Sequence, residues 1–203
     1  MTLTFSPAPE LFRAKGVAYR GHLDFVARHV PGGIKRHNEA FGDPRLVAFF
    51  EQPFLASTWY DVYPLVRAGS VSAELLGITV PQLLKVRGKD QVERDLTGVY
   101  GFLARFASQR LVARGVVDAV ERYFEFAEAK SEQVNPKHVR TLISGVPEDL
   151  AEWMAALALS YTEAAFEHVG AKEVRVRVQR VPCTKRKNAV PLAELLVDVR
   201  WDV

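Results

Sequence analysis

Residues 146–203 admit few folds. They read as a long amphipathic helix (PEDLAEWMAALALSYTEAAFEHVG), an alternating strand (EVRVRVQRV), a basic turn and a second alternating strand (AELLVDVRW). Alternation turns Val174, Val176 and Val178 to one face of a sheet and Arg175, Arg177 and Gln179 to the other. The helix carries Leu150, Trp153, Met154, Leu157 and Tyr161 on one stripe, and Glu148, Asp149 and Glu152 suit its positive end. A one-faced sheet beside a one-striped helix must bury the two apolar surfaces together.

Upstream, an aromatic segment Tyr123–Gln133 and a segment Lys137–Ser144 flank the turn-forming Val134-Asn135-Pro136, so they read as a hairpin. The first two-thirds reads as helical. Lys15 to Val30 reads as a strand-to-helix entry followed by a helix with Leu23, Val26 and Val30 inward, stopped by Pro31-Gly32-Gly33. A short polar helix spans Ile34–Phe41. Asp43-Pro44 opens the next helix, as N-cap and first helical residue, and it stops near Gln52-Pro53. Ser57 or Thr58 is expected to cap a helix bearing Trp59, Tyr60, Val62, Tyr63 and Leu65, and a further stretch ends at Gly77. Val80 to Val86 reads as a short helix closing at Gly88. Val92, Leu96, Val99, Tyr100, Leu103 and Phe106 mark another over Asp90–Phe106, and Ser108–Val120 a separate one.

The expected fold is α+β: a helical N-terminal two-thirds packed with a four-stranded antiparallel sheet, which the long helix 147–169 covers. It is read as one domain over 1–203, with 1–121 mainly helical and 122–203 sheet plus helix.

Composition narrows the function classes. The chain has 203 residues, 48% of them hydrophobic and 25% charged, with net charge +3, which suits a globular protein and is too mild a charge to imply nucleic acid. Cys183 is the only cysteine, so an internal disulfide and a cysteine-cluster metal site are excluded. No secretory signal and no membrane-length apolar run is legible, so a cytoplasmic location is expected.

Several residues could carry a site. His168 lies 18 residues after Leu150, five helical turns, and is expected on the buried stripe, as a pocket group or axial ligand or as a histidine favoured at the negative helix end. Trp59, Tyr60, Tyr63 and Tyr161 are the aromatic candidates for a ligand pocket, or plain core. His22, His29 and His37 have near-helical spacing, but Pro31-Gly32-Gly33 interrupts it, which disfavours a metal cluster. Cys183 has Lys185 and Arg186 nearby to lower its pKa, or is a bland turn residue. Arg175, Arg177, Lys185, Arg186 and Lys187, with Arg200, form a basic surface suited to a phosphate-bearing partner, an anionic lipid or nucleic acid, or to solvent. It lacks outward aromatics for stacking single strands, which disfavours nucleic acid. Glycine-rich phosphate loops, nucleophile elbows and His-Glu-x-x-His are missing, so an enzyme is unsupported and no metal is assigned.

The order of features resembles a paralogous family of myxobacterial proteins of unknown function. The carriers are Lys15-Gly16-Val17, Thr58-Trp59-Tyr60, the aromatic strand and the ending of helix, Gly-Ala, Val-x-Val-x-Val, Cys183 and a Trp-ended strand. The ending is also similar to the 4-vinyl reductase domain, whose superfamily includes heme-nitric oxide/oxygen binding domains and TRAPP-type tethering subunits. That resemblance implies a non-catalytic sensory or small-ligand-binding module, homodimeric, with an apolar pocket between the helical part and the sheet. The alternatives are a protein-interaction or tethering scaffold without ligand, and a heme-type gas sensor through His168. Two departures count: the second cysteine of the 4-vinyl reductase ending is missing, and so is the Tyr-x-Ser-x-Arg motif of the heme domains, to which Tyr161-Thr162-Glu163 is the nearest approach. The cofactor is therefore left unknown, with heme unsupported by motif. The expected partners are a second copy, a small apolar ligand or another protein.

Overall fold

In the computed structural model, backbone is described for residues 4–97 and 109–202, and side chains for the same residues except 96, 97, 109–111, 113 and 114. Residues 98–106 of the expected helix, and Ser108 at the start of the one after it, lie outside that description. The chain divides into two compact units: residues 1–83 with 123–125, and 84–122 with 126–203. The helical residues 84–97 and 109–122 thus go with the sheet, although composition changes only near residue 122.

The first unit is built from β1 (Arg13–Lys15), α1 (Gly16–His29), α2 (Gly33–Glu39), α3 (Pro44–Glu51), β2 (Trp59–Asp61) and α4 (Val62–Leu76). The local signals work as expected at α3, where the Asp43 carboxylate accepts from the Arg45 amide and Pro44 leads the helix. The α1 core face is Tyr19, His22, Phe25 and Val26, with Leu23 only half-buried. Trp59 to Asp61 departs from the helical expectation. It is extended and pairs antiparallel with β1, Lys15 opposite Trp59 and Arg13 opposite Asp61. The cap of α4 is accordingly Asp61, not Ser57 or Thr58. Its carboxylate accepts from the amides of Tyr63 at 3.0 Å and Ser6 at 2.8 Å, so one side chain starts the helix and anchors the N-terminal segment.

α5 (Val80–Thr97) begins in the first unit and continues into the second. It runs through Gly88 instead of stopping there. A Cβ at Gly88 would stand 3.0 Å from the Ser160 backbone, so glycine here permits close helix contact and does not mark a helix end. The rest of the second unit is α6 (Gln109–Tyr123), β3 (Glu128–Asn135), β4 (His138–Pro147), a 3-10 turn (Glu148–Leu150), α7 (Ala151–His168), β5 (Lys172–Val181), β6 (Arg186–Lys187) and β7 (Val190–Asp202).

The antiparallel sheet has the order β3-β4-β7-β5, with β6 pairing β7. The first hairpin strand starts at Glu128, because Tyr123 still belongs to α6. β4 continues past Gly145, where a bulge separates Ile143 from Val146. Gly145 has φ +82°, and a Cβ there would lie 2.2 Å from the Phe126 carbonyl oxygen, so the bulge demands glycine. The second basic hairpin turns at Asn188-Ala189, both at positive φ, with Lys187 already paired to Val190.

α7 lies over the inner face of the sheet, against β5 and β7. That face supplies Val139, Thr141 and Ile143 from β4, and Leu195, Val197, Val199 and Trp201 from β7, all buried. Phe166 meets Trp201 with ring centroids 4.8 Å apart. On its other side α7 meets α5 through the Gly88–Ser160 approach and the Lys85–Glu163 and Lys89–Glu167 pairs.

Candidate functional site

In the first unit the aromatic candidates are part of a ring cluster. Tyr19 stacks on Phe54 at 4.5 Å, and Phe49, Phe50 and Tyr60 surround it. The Tyr19 hydroxyl donates to the Asp61 carbonyl and accepts from the Leu65 amide, and burial raises its pKa far above the ordinary phenol value, the Asp61 charge adding to it. Tyr63 is 1% exposed. Tyr60 is half-buried and its hydroxyl accepts from the Leu55 amide at 3.0 Å. Trp59, the neighbouring strand residue, has its ring under the Lys15 ammonium at 5.0 Å.

The fold also joins two histidines that the glycine break seemed to separate. His22 and His37 are fully buried, with ring centroids 5.3 Å apart. His37 Nε2 is 3.1 Å from the Ala68 carbonyl and its Nδ1 3.4 Å from the Asn38 side chain, while His22 Nε2 is 3.4 Å from Ser72 Oγ. Burial lowers the His37 pKa, and the hydrogen bonds to Ala68 and Asn38 only partly offset it. The third member, His29, is exposed on the last turn of α1, its ring over Phe25.

In the second unit Tyr161 is half-buried and donates its hydroxyl to Asp95 on α5 at 2.9 Å. His168 is exposed on the last turn of α7, which corrects its expected place on the buried stripe. Leu150 lies in the 3-10 turn before α7, so the 18-residue count does not run through one continuous α-helix, and on the last turn Phe166 is the buried residue instead. Cys183 is half-buried in the β5–β6 connection. Arg87 on α5 is pulled down to about 10, mainly by burial, with the Arg94 charge adding and the Asp90 charge opposing. Nothing in its sequence neighbourhood signals that.

The basic surface resolves into two places. Lys185, Arg186 and Lys187 are exposed at the β6 hairpin, where Lys185 pairs with Glu194 at 2.8 Å and Arg186 donates to the Ala189 carbonyl. Arg175 and Arg177 lie on the outer sheet face. There Arg175, Arg200 and His138 stand in one cross-strand row, and Arg177, Asp198, Arg140 and Glu132 in the next. Asp198 is the centre of this array. Its Oδ2 takes contacts from His138 Nε2 at 2.8 Å and Arg140 Nε at 3.0 Å, and its Oδ1 from Arg200 Nε at 3.2 Å. Partial burial pushes its pKa up, but the hydrogen bonds from His138 and Arg140 and the charge of Arg200 outweigh that and hold it below the usual carboxylate value. Sequence reading missed His138, Arg140 and Asp198 as partners, since 58 and 60 residues separate them and only strand register joins them.

No protein-family model and no curated protein matches the chain. Solved structures do. The Fe(II) unliganded H-NOX protein from K. algicida superposes with TM-score 0.66 at 12% identity, over 93% of this chain and 97% of that one. An oxygen-binding H-NOX domain related to soluble guanylate cyclases superposes with TM-score 0.57 at 12% identity, over 93% of both. At such identity the likeness establishes the fold: this α+β chain has the H-NOX architecture.

The histidines do not supply an axial ligand for a heme. An axial ligand needs a donor free to meet iron in a sheltered pocket. All five histidines are described: His37 engages both ring nitrogens, His22 faces Ser72, His138 holds Asp198, and His29 and His168 are exposed. The sequence also lacks the propionate-binding Tyr-x-Ser-x-Arg.

Proposed function

We propose that this chain is a non-catalytic sensory module that uses the H-NOX fold to bind a small ligand other than heme. The near-complete coverage of whole H-NOX domains carries this reading, since those structures are of Fe(II) and oxygen-binding proteins. The engagement or exposure of the histidines supports leaving iron out of it. The matched structures represent the heme-nitric oxide branch of the sequence resemblance. The myxobacterial kinship, the 4-vinyl reductase and TRAPP branches, self-association and a cytoplasmic location stay within the proposal. Trp59, Tyr60 and Tyr161 are the aromatic candidates that keep ring surface partly open.

Native mass spectrometry of the purified full chain tests it. A retained small molecule supports the sensory reading, and the same spectrum reads the oligomeric state. A bare chain that captures a protein partner instead supports the tethering scaffold. Heme titration should give no Soret band, and His168→Ala should not change the absorbance. A band in the wild type that His168→Ala abolishes would overturn the exclusion of heme.

A further inference from the structure

The outer face of the terminal sheet holds more guanidinium than its carboxylates can satisfy. Arg140, Arg175, Arg177, Arg200 and Lys130 stand on or beside the two cross-strand rows, against Asp198, Glu132 and Glu173. Two positive charges remain in excess with His138 neutral. Asp198 occupies one Nε of Arg140 and one of Arg200, leaving their terminal Nη edges without a carboxylate among the described residues. Arg177, opposite Asp198 in register, is exposed and has no hydrogen-bond or ion-pair partner among the described residues.

Beside these rows the sheet end is concave. His138, Arg175 and Arg200 share an open groove of about 510 Å³ with Glu173 and with Lys137, which pairs with Asp202 in the same lining at 3.2 Å. That volume suits a small organic molecule. Glu173, at the groove edge, is held at φ +46° at the β5 irregularity, where its carboxylate takes Arg175 at 3.0 Å. A non-glycine residue with left-handed backbone carries a local conformational cost.

From this geometry we infer a binding site for a soluble phosphomonoester, its phosphoryl group on the Nη edges of Arg177 and Arg200 and its organic part in the groove. A phosphomonoester carries close to two negative charges at neutral pH, which matches the excess. Its oxygens accept the paired N–H donors of a guanidinium fork, which a single carboxylate beneath the array leaves available. Asp198 is a positioning residue: it holds Arg140 and Arg200 to either side by their Nε atoms and presents their outer edges. Glu132, Glu173 and Asp202 interrupt the positive field after a few residues. That patch size favours a small ligand over a membrane plane or a nucleic-acid track, which would need a continuous basic surface.

Isothermal calorimetry of the full chain with glycerol 3-phosphate at low salt tests the site, with glycerol as the uncharged comparison. The expected result is one saturable site that glycerol does not fill and that weakens as salt rises. Arg177→Gln and Arg200→Gln should each weaken it about tenfold, one charge-assisted pair being lost. The triple variant Lys185→Gln, Arg186→Gln, Lys187→Gln should bind like the wild type. Both arginines are exposed, and an unchanged far-UV spectrum would show that these variants fold. Absence of saturable binding overturns the proposal. So does an equal loss in the hairpin variant, which would mean diffuse attraction. Binding to phosphatidic-acid vesicles without binding to glycerol 3-phosphate also overturns it, in favour of a lipid surface.

Discussion

Replacing Gly145 by alanine should destabilise the second unit far more than the same change at Gly170. Both glycines have nearly the same left-handed φ, +82° and +79°. An L-residue there costs about 1–2 kcal/mol, and that part should be common to both variants. The surroundings differ. A Cβ at Gly145 would meet the Phe126 carbonyl oxygen at 2.2 Å, and nothing lies within 4 Å of one at Gly170. Ordinary contact begins near 3.4 Å, so one backbone must move by more than an ångström. Neither is free to do so: Gly145 sits in the β4 bulge and Phe126 two residues before β3, which pairs with β4. Such overpacking against backbone adds about 1–3 kcal/mol. The expected totals are about 2–5 kcal/mol for Gly145→Ala and about 1–2 for Gly170→Ala, the former a large share of the roughly 5–15 kcal/mol that domains possess. Urea unfolding followed by tryptophan fluorescence reads the second unit through Trp153 and Trp201, both buried there. Equal losses in the two variants would refute the argument, because the contact at Phe126 would then contribute nothing.

Gly88→Leu should pry α5 from α7, because the added side chain meets the Ser160 backbone; a cost of at least about 2 kcal/mol in the same assay is expected, and Gly88→Leu as stable as wild type would deny the close approach. Asp61→Ala removes a helix cap and leaves the buried Ser6 amide without its acceptor, so a loss of about 2–3 kcal/mol is expected, read by the thermal midpoint. The first unit should also weaken in mild acid. Burial holds the His37 pKa below its ordinary 6.5, so as pH falls the unfolded chain takes up the proton first. The contribution is complete above 6.5 and is lost as pH falls from there toward the folded value. The raised pKa of Asp61 acts in the opposite sense, in its own range closer to the ordinary 3.8. Stability against pH should flatten in His37→Asn; a slope unchanged by that substitution would show that another group titrates.

Local chemistry made much of the fold legible. Asp43-Pro44 and Pro31-Gly32-Gly33 act through neighbouring backbone atoms, so helix ends there follow from adjacent residues alone. The alternation in β5 and β7 likewise specified which side chains share a face, since a pleat has period two. The errors came where a distant segment decides. Trp59-Tyr60-Asp61 is aromatic enough for a helix face, yet β1 pairs with it 46 residues away along the chain. Gly88 looks like a terminator because the Ser160 helix that needs it small lies far off in sequence. The candidate sites divide the same way. Arg175 and Arg177 were readable as outward positions, but Asp198, Arg140 and His138 became their neighbours only through strand order.

By itself, the sequence determined the α+β class and the helix-over-sheet pairing of its last third, because periodicity and residue identity are local properties. The tertiary structure alone decided that His168 faces solvent, that His22 and His37 are buried side by side, and that one carboxylate serves a histidine and two arginines. Those outcomes depend on strand register and on which helix faces are covered. Long-range packing sets both, and a linear pattern of residue types does not encode them one position at a time.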